Sequence, residues 1–161
     1  NQLGLAHALQ GTGSTLVMVG QCMPAHQGYL AHVLAVPGTR HLGSMRYDDP
    51  LLPSLYAAAG VFCLASRSEI MPLVVLEALA AGTRAVMTRN HCMDVPGMQH
   101  VLREVDPDDG PAIRQVVSAL LAAPPTARDC RAAVEHLTWD AVASRLVTIY
   151  SRIARGGGPK D

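Results

Sequence analysis

Residues 66–83 read SRSEIMPLVVLEALAAGT, and one of them is out of place. Glu77 stands in a run of Leu73, Val74, Val75, Leu76, Ala78, Leu79, Ala80 and Ala81. Glutamate is among the residues least often fully buried, and an unpaired buried charge costs several kcal/mol or neutralises itself. Either the carboxylate looks out from one edge of a helix or a ligand comes to it. Glu69, eight residues earlier, precedes the same run in a loop that follows the apolar segment VFCLAS (61–66).

Outward from this stretch, short apolar runs alternate with helical patterns. TLVMVG (15–20), TRHLGS (39–44), VFCLAS, RAVMTR (84–89) and the weaker VLREVD (101–106) read as strands. Runs of β-branched and apolar residues without polar alternation mark strands covered on both faces. Helical spacing marks 3–9, 26–36, 51–60, the segment after Pro72, AIRQVVSALL (112–121), and two segments near 126–137 and 139–154. Gly60 and Gly82 are placed to end helices as C′ residues, Pro111 to open one and Thr138 to cap one. GTGS (11–14) precedes a strand and so reads as a turn, not as a phosphate loop. This alternation predicts an α/β fold, a doubly wound parallel sheet with helices on both faces and helical pairs at the C-terminal end. Ligands of such sheets sit at the carboxyl ends of strands, and the 66–72 loop occupies such a place.

Composition bounds the function. The chain has 161 residues, 49% of them hydrophobic, with 13 basic and 13 acidic side chains. That balance excludes attachment to nucleic acid or anionic membrane by bulk charge. One Trp, one Phe and four Tyr give little to stack on single-stranded nucleic acid. No apolar run reaches the roughly 20 residues of a membrane span, so no transmembrane segment is expected. Cys22, Cys63, Cys92 and Cys130 are widely spaced and form no zinc ligand set, which predicts reduced thiols and a cytoplasmic setting.

Two carboxylates above a helix N-terminus suit a ligand with both hydroxyls and phosphate, since carboxylates accept hydroxyl hydrogens and free amides take the anion. A sugar joined to a nucleoside diphosphate is such a ligand. Taken alone, Glu69 reads equally as a solvated loop acid and Glu77 as an exposed helix-edge residue. Exposed arginines such as Arg67 and Arg89 are common, and the seven scattered histidines lack ligand spacing.

SRSEIMPLVVLEALAAGTRAVMT resembles the signature of the retaining GT-B glycosyltransferases, the large family 4, or glycosyl transferases group 1. Their C-terminal domain carries Ser-Arg-x-Glu-Pro-Phe-Gly-Leu-x-x-x-Glu-Ala-x-Ala-x-Gly-x-Pro-Val-Val. Glu69 and Glu77 fall at the family spacing, as do Leu73, Ala78, Ala80 and Gly82. TLVMVG, HLGSM (41–45), LLPSLYAAAGVFCLAS (51–66) and LTWDAVASRLVTIY (137–150) resemble further family segments, so nearly the whole chain is covered.

The resemblance implies that residues 1–154 form a Rossmann-like GT-B C-terminal donor-binding domain lacking its first strand and the N-terminal acceptor domain, with a disordered tail at 155–161. It implies a hexosyltransferase-like enzyme whose donor is a nucleotide sugar, whose acceptor is a sugar or lipid met through the missing domain, and which needs no cofactor and no metal. Glu69 contacts the donor sugar as the catalytic carboxylate, and Glu77 binds the ribose hydroxyls. Met71, Pro72 and Leu73 lie against sugar and diphosphate, Gly43, Ser44 and Met45 line the base, and Gly20 flanks the phosphates. The isolated chain is expected to be inactive, and the complete protein cytoplasmic, peripheral at the inner membrane face.

The chain also departs from the family pattern, and Pro72 and the cations lost before Asn1 favour an alternative, a degenerate domain serving as a non-catalytic binding or assembly module. Ile70-Met71-Pro72 replaces Pro-Phe-Gly, which removes a backbone donor. NHCMDVPG (90–97), with His91 and Asp94, replaces a Gly-Gly…Glu loop. The family's Gly-Arg and Lys, which hold the diphosphate, would precede Asn1.

Overall fold

The computed structural model describes residues 1–94 and 97–155. The expected tail thus lies, apart from Arg155, outside the described residues. Five strands and seven α-helices follow in the expected order: α1 (Gln2–Leu9), β1 (Leu16–Met18), α2 (Gln27–Leu34), β2 (Thr39–His41), α3 (Leu51–Ala58) and β3 (Phe62–Leu64). Then come α4 (Leu73–Ala81), β4 (Ala85–Thr88), β5 (Leu102–Val105), α5 (Gly110–Ala122), α6 (Ala127–Val134) and α7 (Trp139–Ala154). A single 3-10 turn, Pro24–His26, leads into α2.

All pairings are parallel. β4 lies between β3 and β5, with Phe62 opposite Ala85 and Val86 opposite Arg103. Every residue of β4 is buried, and its side chains alternate between two cores. Ala85 and Met87 join Val75 and Leu79 of α4 and Cys130 and Val134 of α6. Val86 faces the other way, into Leu5, Ala8 and Leu9 of α1 and Ile113, Val117 and Leu120 of α5. Helices therefore cover both faces, which is the doubly wound arrangement. Period-2 side-chain direction is what lets one four-residue strand nucleate both layers.

The sheet is divided. β1 pairs with β2, Leu16 opposite Thr39, and neither pairs with the three-stranded group among the described residues. Side chains hold the halves together instead. Leu5, Ala8 and Leu9 of α1 pack into the β4–α5 core, while Leu3 and Ala6 pack with Val33 and Val36 against Met18. Leu16 touches both clusters.

Local caps follow their chemistry. Asp109 accepts from the Ala112 amide to open α5, Thr126 and Asp129 form a capping box on α6, and Thr138 accepts from the Ala141 amide on α7. Gly82 ends α4 in the left-handed region at φ 95°. Gly60 differs from expectation. It follows α3 without a positive φ, and its role is space, since a Cβ there would sit 2.7 Å from Leu121 Cδ2.

Candidate functional site

The site residues read from the sequence lie on loops that leave the carboxyl ends of β1, β2 and β3, except Leu73 and Glu77, which lie on α4. Gly20, just past β1, has φ 147°, and its amide donates to the Gly43 carbonyl at 2.9 Å. Gly43, with φ 79°, follows β2, so the structure does bring these two glycines together. A ring nitrogen of His41 lies 2.8 Å from the Gly20 carbonyl and closes the same turn. Ser44 is exposed and Met45 half-buried beyond it.

The loop after β3 is anchored at both ends. Ser66 Oγ donates to Glu69 Oε1 at 2.5 Å. The Glu69 amide donates to the Asn90 carbonyl at 2.9 Å, and the Cys92 amide donates to the Ile70 carbonyl at 3.2 Å. These bonds make Glu69 and His91 a parallel bridge between the loops after β3 and β4. His91 is itself pinned, because the Met93 amide donates to Nδ1 at 3.1 Å while Nε2 lies 3.0 Å from Glu104 Oε1. With Nδ1 accepting, Nε2 carries the proton and donates to the carboxylate.

Pro72 stands at the N-cap of α4 with φ −76° and ψ 96°, so the helix begins in the segment after it, as its sequence position suggests. Its carbonyl accepts from the Val75 amide, and no side chain caps the helix. Among the described residues the amides of Leu73 and Val74 have no partner, at the tip of α4 that follows the carboxyl end of β3. A helix tip of this kind attracts anions through free N–H groups and the helix dipole. Met71 and Leu73 beside it are exposed apolar side chains, at 56% and 49% of their surface.

Glu77 is the fifth residue of α4 and is exposed, whereas Val75, Ala78 and Leu79 form the buried face. Its tolerance among aliphatic residues is thus a matter of helical phase. Its carboxylate is not idle: the Tyr56 hydroxyl of α3 donates to Oε2 at 3.0 Å. Burial and this neighbouring carboxylate hold the Tyr56 phenol well above its ordinary range, so it stays a donor. Glu69 and Glu77 share no hydrogen-bond partner among the described residues.

Arg67 and Arg89 are engaged with acids, Arg67 with Asp108 at 2.9 Å and Arg89 with Asp106 at 3.8 Å. A cleft of about 860 Å³ lies elsewhere, between α1 and the start of α5, lined by His7, Arg67, Asp108 and Arg114 among others. Neither glutamate lines it. Among the described residues no group of three His, Cys, Asp or Glu side chains is placed to hold a metal ion. All four cysteines are free, and no described helix is long and apolar enough to cross a membrane.

Sequence reasoning did not find Tyr56, Ser66 or Glu104. The Ser-x-x-Glu spacing of Ser66 and Glu69 carried a signal for one of these contacts. Tyr56 lies 21 residues from Glu77 and reads as a core aromatic.

The fold is the Rossmann-like α/β fold of the GT-B glycosyltransferases. It superposes on sucrose-phosphate synthase from Thermosynechococcus elongatus with a TM-score of 0.82, over 96% of this chain and 42% of that one, at 22% identity. It also matches Anabaena Alr3699/HepE, solved in complex with UDP and glucose, with a TM-score of 0.64 at 21% identity, over 96% of this chain and 43% of that one.

The chain belongs to the glycosyl transferases group 1 family, whose model matches residues 5–136. An MMP alpha-(1->4)-mannosyltransferase from Mycolicibacterium hassiacum is 35% identical over 116 residues, covering 67% of this chain and 28% of that protein. The chain thus spans between about a quarter and somewhat under half of the length of these relatives.

Proposed function

We propose that this chain is the nucleotide-sugar-binding half of a retaining glycosyltransferase. Glu77 accepts the ribose hydroxyls, and Glu69, held by Ser66 and by the bridge to His91, accepts hydroxyls of the donor sugar. The diphosphate lies at the α4 tip against Met71, Pro72 and Leu73. Gly20 flanks it, and Gly43, Ser44 and Met45 form the wall for the base.

The observation that carries this reading is the uncapped N-terminus of α4, with one carboxylate in the loop before it and another on the helix itself. Charge developing on a leaving diphosphate needs dipoles or cations already in place, and free amides at a helix tip supply the former without reorganisation. No metal is invoked in this arrangement. The likeness to a protein solved with UDP and glucose supports a nucleoside diphosphate as the ligand class. The acceptor would be presented by the part of the relatives that this chain does not span.

Calorimetric titration with UDP, GDP, ADP and their sugars tests the reading. Saturable binding abolished by Glu77→Ala, and unaffected by a distant surface change, is the expected result. A second reading, a binding or assembly module on the same fold, is favoured by Pro72, which offers the site no N–H. Absence of heat with every nucleotide at millimolar concentration would select it.

A further inference from the structure

Tyr56 is the one hydrogen-bond partner of Glu77 among the described residues, and it is held at three points. Its ring meets Phe62 of β3 edge-on, with centroids 5.6 Å apart and planes at 62°. Its carbonyl accepts from the hydroxyl of Thr83, a side chain only 2% exposed. Its own hydroxyl then reaches across the α3–α4 seam to Glu77 Oε2, and among the described residues Oε1 has no partner.

A glutamate on an open helix face rotates about three side-chain torsions, and ordering such a side chain on binding costs free energy. A donor fixed by strand, helix and turn removes much of that freedom beforehand. The hydroxyl remains protonated throughout the neutral range, so the bond to the carboxylate is charge-assisted and directional. It also occupies one side of the carboxylate, so a ligand meets the other.

We propose that Tyr56 is a positioning residue for nucleotide recognition: its hydroxyl orients the Glu77 carboxylate so that Oε1 faces the ribose, which makes discrimination between ribose and dideoxyribose depend on Tyr56. This rests on the reading of Glu77 as the ribose acceptor. Tyr56 touches no part of the nucleotide itself. Phenylalanine at this position keeps the ring against Phe62 and the backbone bond from Thr83, and deletes only the orienting donor.

The experiment titrates the wild-type chain, Tyr56→Phe and Glu77→Ala with UDP, GDP and ADP and with their 2′,3′-dideoxy analogues, alongside a thermal melt of each protein. The wild type is expected to prefer one ribonucleotide over its dideoxy form, and Glu77→Ala to lose that preference. Tyr56→Phe should weaken the ribonucleotide by about 3–10-fold, the worth of one hydrogen bond, leave the dideoxy form unchanged and melt as the wild type does.

If Tyr56→Phe binds the ribonucleotide as tightly as the wild type while Glu77→Ala does not, the positioning role is wrong and the ribose reading stands. Equal weakening of both ligand forms by Tyr56→Phe also overturns it, since that is the mark of a structural role. If Glu77→Ala keeps the wild-type preference, or no ligand binds at all, the ribose reading itself fails and the inference goes with it.

Discussion

Glu69 is fastened through its backbone to the neighbourhood of His91, 22 residues further along the chain. The bridge joins the loops that follow β3 and β4, so the place of the proposed sugar-contacting carboxylate is set from outside its own loop. The His91 side chain is 7% exposed and holds this second loop through Met93 and Glu104. His91→Ala should therefore lower stability by about 1 kcal/mol, since the partly buried Met93 amide loses its acceptor while exposed Glu104 turns to water. Amide exchange at Glu69 and Cys92 should quicken more than at β4. Uniform quickening across the chain, with no excess at these two amides, would show that the ring does not hold the loop.

Pro72 sits at φ −76°, a conformation that any residue adopts, so its substitution brings no backbone strain, although the side chain is buried and some packing is lost. Pro72→Ala introduces an N–H at the tip of α4 where the proposed diphosphate lies. A new donor to a charged group contributes about 1.5–3 kcal/mol, which predicts nucleoside diphosphate binding at least tenfold tighter by calorimetry. Unchanged affinity in a variant that binds would place the diphosphate away from this helix end.

Gly82 combines a left-handed backbone with crowding. A Cβ there would lie 2.6 Å from Arg131 Nη1 and 2.9 Å from Ala127 Cβ. Gly11, at φ 76°, has the same backbone need with nothing within 4 Å. Gly82→Ala should cost more than Gly11→Ala, whose penalty is backbone strain alone, of order 1 kcal/mol. Urea midpoints of the two variants check the order, and equal losses would mean that α6 yields without cost.

Cys63 of β3 packs against the α1–α5 core, and burial pushes its thiol up to about 12 from an ordinary 9.0. Above pH 9 the unfolded chain releases this proton while the folded chain keeps it. The unfolded state then binds fewer protons, and stability falls as pH rises between these values. The loss approaches about 1.4 kcal/mol per pH unit. Comparing urea midpoints at pH 8 and 10, Cys63→Ala should show a shallower decline than the wild type. Burial also raises the Cys130 thiol, which contributes a loss of the same sign in this window, so the variant retains some slope.

Much of this molecule was legible because its elements are written in local patterns. Thr138 caps α7, Pro111 sits in the first turn of α5 and Gly82 closes α4, as their chemistry dictates. The division of the sheet was not legible, since an apolar run such as TLVMVG tells that a strand is covered and not which strand lies beside it. Gly60 was read by backbone preference, whereas its constraint comes from Leu121 on a distant helix. In the site, the spacing of Glu69 and Glu77 was visible, but their orienters were not. Tyr56 and His91 reach them across 21 and 22 positions, and nothing local distinguishes an aromatic that donates to a carboxylate from one that fills space.

The loops bearing Gly20 and Gly43 ride on one half of the divided sheet, and Glu69 and Glu77 ride on the other. No ladder of backbone bonds crosses between them among the described residues, and the α1 side chains of Leu3, Leu5, Ala6, Ala8 and Leu9 make the joint. Such a joint is held by interdigitated, close-packed side chains and not by backbone bonds. The wall proposed for the base and the wall proposed for the sugar thus keep their spacing through the packing of α1, so a cavity cut into that helix would be felt on both sides of the site.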